Sequence, residues 1–220
     1  MLKALVILGA LFSLDAAGGE HGDDIPAAWH EEGLAVLRFQ KDPVRDRGWL
    51  LTERGVMVFD YRTRKTTAHV RLPGWVLADE GYACAPGLAL GPVGEAVVTS
   101  NVLPIVWRID PVTLAVSRHE LTLDAHKGMD VGITGLAYSP EQQAYFGVSH
   151  FGALWRIDPL LRRAEKVALS EPLLKACAIA VQAKNRFFRL CVKGEQGSWS
   201  VNLAPDRRSG QVRPEACVAS

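Results

Sequence analysis

Residues 135–140 read GLAYSP and residues 155–159 read WRIDP, and the same pair of patterns occurs earlier in the chain. Residues 87–92 read GLALGP and residues 107–111 again read WRIDP, so both patterns return after 48 residues. A regular period of this length is typical of proteins that are built from repeated structural units. The sequence therefore predicts a repeat fold.

Two less similar copies extend the repeat over most of the 220 residues. One begins with GLAV at residues 33–36 and reaches MVFD at residues 57–60, and the other begins with AIAV at residues 178–181 and reaches WSVN at residues 199–202. We therefore predict a single domain over residues 33–220. Its four repeats are expected at residues 33–72, 87–123, 135–169 and 178–213.

Each copy contains short apolar segments that are separated by turn residues. In the third copy, strands are predicted at residues 135–138 and 144–149, in the segment that ends at Asp158, and at residues 165–169. Four strands per unit are typical of one blade of a β-propeller. The predicted fold class is therefore all-β and β-propeller-like, with about four four-stranded blades. The ring either closes with four blades, or is open, or is completed by a second chain.

The WRIDP pattern also predicts local structure. Alternate side chains of a strand point to opposite faces, so Trp and Ile are expected on one face and Arg on the other. The Asp-Pro pair is typical of a turn, because the Asp side chain bonds the backbone and Pro presets φ. We predict that Trp107, Trp155 and Trp199 pack between blades.

The two patterns together, Gly-Leu-Ala-x-x-Pro and then Trp-Arg-Ile-Asp-Pro, resemble the repeat of the NHL, YVTN and quinoprotein-like β-propellers. The resemblance covers about residues 33–213. Such folds carry binding modules, lactonases and quinone-dependent dehydrogenases alike, so it implies an architecture and not one activity. Members of these families usually have more than four blades, which is where this chain departs from them.

The resemblance implies that functional residues lie near the central channel, on the loops that enter the first strand or leave the second. The residues expected to face a ligand there are Glu32, Asn101, Thr134, His150 and Lys193. Enzymes similar to regucalcin and gluconolactonase hold a divalent cation near such positions with Glu, Asn and Asp. The corresponding candidates are Glu32, Asn101 and Asp130, and the candidate catalytic residues are His150 and Asp130.

This candidate metal site offers few of the ligands that a hard cation needs. Calcium prefers six or more oxygen ligands, and among the candidates only Glu32 matches the expected residue type closely. We therefore expect no cofactor and no metal in the favoured interpretation. Ca²⁺ or another divalent metal is expected only if the protein is an enzyme of the lactonase type.

Basic residues recur just after the third predicted strand of three copies. Their recurrence predicts a positively charged docking patch for an acidic partner, and the alternative is that exposed turns are simply polar. The residues are Arg62, Arg64, Lys65, Arg162, Arg163, Arg207 and Arg208. The whole chain has 25 Lys and Arg against 24 Asp and Glu, which gives no broad attraction for nucleic acid. We expect no nucleic-acid partner.

The sequence has four cysteines: Cys84, Cys177, Cys191 and Cys217. No two of them form a C-x-x-C motif, which argues against zinc or thioredoxin-like chemistry. Two disulfides are expected, and three pairings are possible. We favour Cys177 with Cys191, because the two lie symmetrically about Lys184 in a predicted hairpin. That choice leaves Cys84 with Cys217.

The N-terminus has the features of a secretory signal. Lys3 precedes an apolar run at residues 4–14, and small residues follow at 16–19. We predict a signal peptide at residues 1–18 and a polar leader at 19–32, the alternative being a buried N-terminal element. The apolar run is too short to span a bilayer, so the mature chain is expected in the periplasm or outside the cell, without stable membrane insertion.

The function that the sequence favours is recognition by an exported scaffold subunit in a periplasmic assembly. Its partner is expected to be another protein subunit, with a homodimer or a small ligand as further possibilities. An enzyme is less favoured, because the sequence shows no convergent catalytic set. The alternative is a metal-dependent lactonase or hydrolase that resembles gluconolactonase.

Overall fold

The computed structural model describes residues 35–78, 84–124, 131–184, 187–195, 197–204, 206 and 208–214. Within these residues the chain forms β-strands and no helix, and nothing in them is helical, long and apolar enough to cross a bilayer. Several predictions fall outside this part of the chain. They are the signal peptide, the leader with Glu32, and the residues Asp130, Arg207 and Cys217.

The first two blades are separate four-stranded antiparallel sheets. Blade I contains β1 (Val36–Asp42), β2 (Arg47–Thr52), β3 (Gly55–Asp60) and β4 (Lys65–Val70). Blade II contains β5 (Leu88–Leu90), β6 (Ala96–Thr99), β7 (Ile105–Ile109) and β8 (Val116–Glu120). In both sheets the strands pair in sequence order, as expected for a propeller blade.

The next two blades share one nine-stranded sheet. A short strand, β9 (Thr122–Leu123), precedes them. Blade III contains β10 (Gly135–Ser139), β11 (Ala144–Val148), β12 (Leu154–Ile157) and β13 (Arg163–Leu169), and blade IV contains β14 (Ala176–Lys184), β15 (Phe187–Gly194), β16 (Gly197–Leu203) and β17 (Ser209–Pro214). Strand β13 pairs in parallel with β9 at one end and with β17 at the other. These sheets confirm the predicted all-β fold class.

The first strand of each blade lies next to the first strand of the following blade. Strand β1 packs beside β5, β5 beside β10, and β10 beside β14. Since the strands of a blade are antiparallel, their connections alternate between two ends of the sheet. We call one end the loop face, formed by the segments that enter each first strand and by the second-to-third connections. The other end, with the remaining turns, is the turn face.

Apolar clusters fill the space between consecutive blades, as the repeat predicts. Trp107 lies in the cluster shared by blades I and II, and Trp155 lies in the cluster shared by blades II and III. Trp199 packs, half-buried, against the cluster between blades III and IV. In blade II the indole Nε1 of Trp107 also donates to the Pro73 carbonyl at 2.9 Å. The predicted role of the three tryptophans in packing between blades is confirmed.

In blades I, II and III an Asp at the end of the third strand caps the turn to the fourth. Asp60 Oδ1 accepts a hydrogen bond from the Thr63 amide at 2.8 Å. Asp110 Oδ1 accepts from the amides of Val112 at 2.9 Å and Thr113 at 2.7 Å. These amides hold the pKa of the Asp110 carboxyl below its ordinary value of 3.8. The turn role that WRIDP predicts is therefore confirmed.

Replacing Asp110 with Ala is expected to lower the free energy of unfolding at neutral pH. Because the folded-state pKa is depressed, the carboxylate stabilises the fold above its unfolded pKa, and this contribution is lost as the pH falls through the folded pKa. The difference between wild type and Asp110→Ala should therefore shrink below about pH 4, measured by urea denaturation at several pH values. Asp110→Asn is the control, since it keeps an acceptor at pH 7 without the pH-dependent part. A difference that stays constant down to acid pH would contradict the carboxylate's role.

Candidate functional site on the loop face

Residues 173–175, which lead into blade IV, form backbone hydrogen bonds with the loop that follows β11. The Leu173 amide donates to the Gly152 carbonyl at 3.1 Å, and the Lys175 amide donates to the His150 carbonyl at 2.8 Å. The two segments therefore run antiparallel to each other. Both segments are turns, closed by the bonds from the Gly152 amide to Ser149 and from the Ala176 amide to Leu173, and Phe151 and Leu174 are central residues of these turns.

Phe151 and Leu174 form an apolar pair on the surface of the loop face. Their side chains are 44% and 51% exposed. The His150 ring packs edge-on against Phe151, with ring centroids 5.4 Å apart. Exposed single apolar side chains are common, but these two lie on loops that backbone hydrogen bonds join, so they belong to one part of the loop face.

An ion pair borders this apolar pair on the side of blade IV. Lys175 Nζ lies 3.2 Å from Glu195 Oε2, and the Glu195 amide donates to the Lys175 carbonyl at 3.2 Å. The loop after β15 is thereby joined to the 173–175 segment. Because both charged groups are partly exposed, the pair contributes little to stability.

A disulfide between Cys84 and Cys177 supports the same region, with the two Cα atoms 5.0 Å apart. The predicted pairings of Cys177 with Cys191 and of Cys84 with Cys217 are therefore wrong. Cys177 lies at a bulge of β14, where it has no register partner, and Cys191 pairs with Ala180 further along the hairpin. Lys184 pairs with Phe187, so the hairpin is centred beyond Lys184 and the expected symmetry of the two cysteines about Lys184 does not hold. Cys191 is disulfide-bonded as well.

The Arg38 side chain, from β1 of blade I, contacts the main chain of Cys177, which is one of the two disulfide cysteines. Its Nη2 donates to three main-chain carbonyls, those of Ala85 at 3.0 Å, Thr134 at 3.1 Å and Cys177 at 2.8 Å. Its Nη1 donates to the Leu37 carbonyl at 3.1 Å. One side chain of blade I thus binds the segments that enter the other three blades. Sequence reasoning missed this residue.

The surroundings of Arg38 affect its charge. Burial lowers the pKa of Arg38 to about 10, so the side chain is still cationic at neutral pH. No carboxylate of the described residues forms an ion pair with it. The carbonyl dipoles of four residues therefore solvate the cation in place of water.

Two residues expected to face a ligand instead bind the backbone. Thr134 is buried, and its Oγ1 donates to the Ala176 carbonyl at 2.7 Å, which joins blades III and IV. Asn101 is 2% exposed, and its Nδ2 donates to the carbonyls of Ala78 at 3.2 Å and Cys84 at 3.4 Å. The buried Oδ1 of Asn101 accepts no hydrogen bond from the described residues.

The other two described candidates, His150 and Lys193, are half-buried on the loop face. His150 Nδ1 lies 3.8 Å from Cys84 Sγ, so the histidine stands beside the disulfide. Lys193 lies near the end of β15 and is partnered. The structure thus brings Asn101, Thr134 and His150 around the Cys84–Cys177 bond.

The nearest approach to a metal-ligand cluster within the described residues is formed by Cys84, Cys177 and Glu195, whose ligand atoms lie within 4.8 Å of one another. Both sulfur atoms belong to the disulfide, and a disulfide offers no thiolate to a metal. Of the ligands considered from sequence, Asn101 binds the backbone, while Glu32 and Asp130 lie outside the described residues. The metal-dependent alternative therefore stays a prediction.

The basic residues considered for docking lie on the turn face, on three separate turns. All that are described have exposed side chains: Arg62, Arg64, Lys65, Arg162, Arg163 and Arg208. Arg163 lies 3.6 Å from Glu165, which offsets part of its charge. The described hydrogen bonds and ion pairs do not connect the three turns with one another. A continuous docking patch stays a prediction.

Comparisons with known proteins place this architecture among the propellers. No family model and no curated protein matches the chain. Two crystal structures of virginiamycin B lyase from Staphylococcus aureus are similar, at 14% and 15% identity with TM-scores of 0.59 and 0.61. Each match covers 82% of this chain. This chain spans only 56% and 55% of the length of the two lyase chains.

Two further solved structures show the same likeness. The dihydro-heme d1 dehydrogenase NirN is 14% identical with a TM-score of 0.57, and 81% of this chain covers 37% of that one. The RRP9 WD40 repeats are 10% identical with a TM-score of 0.54, and 81% of this chain covers 53% of that one. Identities this low show the fold alone. The described residues of this chain therefore form a β-propeller-like fold with four blades.

Proposed function

We propose that the chain is a recognition subunit that binds another protein through its loop face, with Phe151 and Leu174 as the anchor. The observation that carries this proposal is that two exposed apolar side chains lie on neighbouring loops that two backbone hydrogen bonds join. Protein interfaces commonly have an apolar centre with an aromatic residue and a polar rim. The Lys175–Glu195 ion pair supplies a polar rim on one side.

The loops that carry Phe151 and Leu174 belong to a region that covalent and hydrogen bonds hold together. The Cys84–Cys177 disulfide and the Arg38 hydrogen bonds join the segments that enter blades II, III and IV. Because these segments are already fixed, little conformational entropy is lost when a partner binds. A rigid anchor of this kind is expected to bind with little change of shape.

The compartment that we propose is the periplasm or the extracellular space, and the partner is another subunit of an assembly there. The Cys84–Cys177 disulfide is compatible with an oxidising compartment, and the N-terminal sequence has the features of a secretory signal. Similar folds include a lyase, a dehydrogenase and WD40 repeats. The proposal therefore rests on the loop face of this chain.

The double substitution Phe151→Ser and Leu174→Ser is expected to weaken partner binding more than about tenfold, because apolar anchors at the centre of an interface dominate its affinity. The measurement is native mass spectrometry of the mature protein, purified gently from its own compartment, followed by titration of the partner so identified. Thermal denaturation should show an unchanged fold, since both side chains are largely exposed.

The matched control changes two exposed apolar residues of the turn face, Val112→Ser and Leu160→Ser. It should bind the partner like wild type. Equal binding by both double variants would reject the loop face as the docking surface. A bare monomer with one bound divalent metal would reject recognition in favour of the hydrolase alternative.

A further inference from the structure

A cavity of about 300 Å³ lies on the turn face, at the boundary between blades I and II. Its walls come from the turns and strands of both blades: Arg45, Arg47, Asp60, Thr67, Pro111 and Val112. The volume is at the lower end of the range for small-molecule sites. The cavity shares no residue with the loop face, so it is a separate feature of the molecule.

Two arginines in this cavity share one carboxylate. Asp42 is 1% exposed, and its Oδ2 lies 3.1 Å from Arg45 Nη1 and 3.4 Å from Arg47 Nε. Its Oδ1 accepts hydrogen bonds from the amides of Val44 and Arg45. The acceptors of Asp42 are therefore occupied, and two guanidinium groups share this one carboxylate.

Both guanidinium groups keep donors that can serve a ligand. Arg45 Nη2 donates to the Val93 carbonyl at 3.0 Å, and Arg47 Nη2 donates to the Pro111 carbonyl. Each guanidinium has five N–H groups, so donors remain on both, including Nη1 of Arg47. Arg47 also lies over the Trp49 ring at 5.0 Å, which fixes its plane. Guanidinium groups fixed in this way fit the two oxygens of a carboxylate.

The remaining walls restrict the ligand. Asp60 is an acidic member of the lining, and it opposes a ligand with two negative charges. The exposed basic residues Arg62, Arg64 and Lys65 follow it in the turn and raise the local potential for a single negative charge. Pro111 and Val112 supply an apolar wall.

We propose that this cavity binds a small organic monocarboxylate, with the carboxylate on Arg45 and Arg47 and the hydrocarbon part against Pro111 and Val112. The ligand class follows from the arginine pair above one shared carboxylate, the opposing Asp60, and the volume of about 300 Å³. The site is independent of the proposed loop-face function, so either can fail without the other.

The test is an NMR titration of the ¹⁵N-labelled mature protein with butyrate, and with butyramide as its uncharged counterpart. Butyrate should shift the amide signals of Thr67 and Val112 in a saturable way, and butyramide should not. Equal shifts with both compounds, or shifts that grow linearly without saturation, would overturn the proposal. Because butyrate is a free small acid, the titration tests the monocarboxylate directly.

A matched pair of substitutions at the rim tests the charge. Val112 is exposed, so Val112→Asp and Val112→Asn should both fold. Val112→Asp places a negative charge beside the site and should weaken butyrate binding at least tenfold more than Val112→Asn does. Arg47→Gln should abolish saturable binding, while Arg64→Gln, outside the lining, should change it less than about threefold. Equal affinities for the Asp and Asn variants would contradict a carboxylate site.

Discussion

Arg38→Met is expected to lower the free energy of unfolding by about 3–5 kcal/mol, because the substitution leaves buried carbonyls of four residues without their charged donor. The acceptors belong to segments of all four blades, so the loss affects the inner strands of every blade. Urea denaturation of the mature protein at neutral pH measures the effect. A substitution of Arg54, which is exposed on the loop after β2, is the matched control.

The conservative variant separates charge from geometry. Arg38→Lys keeps the positive charge but has one compact donor group, so it is expected to recover only part of the loss. Arg54→Met should stay within about 0.5 kcal/mol of wild type. If Arg38→Met unfolds within about 1 kcal/mol of wild type, the guanidinium does not hold the blades together.

The double variant Cys84→Ser and Cys177→Ser is expected to lose about 3–4 kcal/mol of stability. The bond closes a segment in which the two cysteines are 93 residues apart, and a long closed loop restricts the unfolded chain strongly. Urea denaturation without a reductant measures the loss. The removal of this bond should also weaken the hydrogen bond from Arg38 to the Cys177 carbonyl, so the Arg38→Met and cysteine effects should not be additive.

Peptide mapping of the unreduced protein gives an independent check on this bond. The fragment that contains Cys84 should be linked to the fragment that contains Cys177. A fragment in which Cys177 is linked to Cys191 would reject the pairing. The stability difference between the double variant and wild type would then need another cause.

The repeat architecture could be predicted because the same residue types recur at a regular spacing in the sequence. The 48-residue spacing of WRIDP located the third strands, and Asp60 and Asp110 cap turns as that pattern indicates. The disulfide could not be predicted in the same way. The pairing of Lys184 with Phe187 places the hairpin turn after Lys184, and nothing in the residue order marks that place.

Arg38 and the apolar pair were missed for related reasons. Arg38 occurs in one blade only, and its acceptors are main-chain carbonyls, which any residue type supplies. Phe151 and Leu174 are ordinary loop residues until two loops from neighbouring blades are hydrogen-bonded. One sequence signal was available, which is the basic residue in the otherwise apolar run LAVLRF at residues 34–39.

The pairing of β13 affects how copies of this protein behave towards one another. Each half of its outer edge is occupied, by β9 at Arg163 and by β17 at Ala168, so blade III offers no free edge there to a strand of another molecule. Blades I and II end in β4 and β8, which pair on one side within the described residues. Those two strands carry exposed charged side chains, Lys65 and Arg118, that disfavour edge-to-edge association. Among the described strands, the outer edge of blade III is thus paired and those of blades I and II carry charge, an arrangement that disfavours association of copies edge to edge.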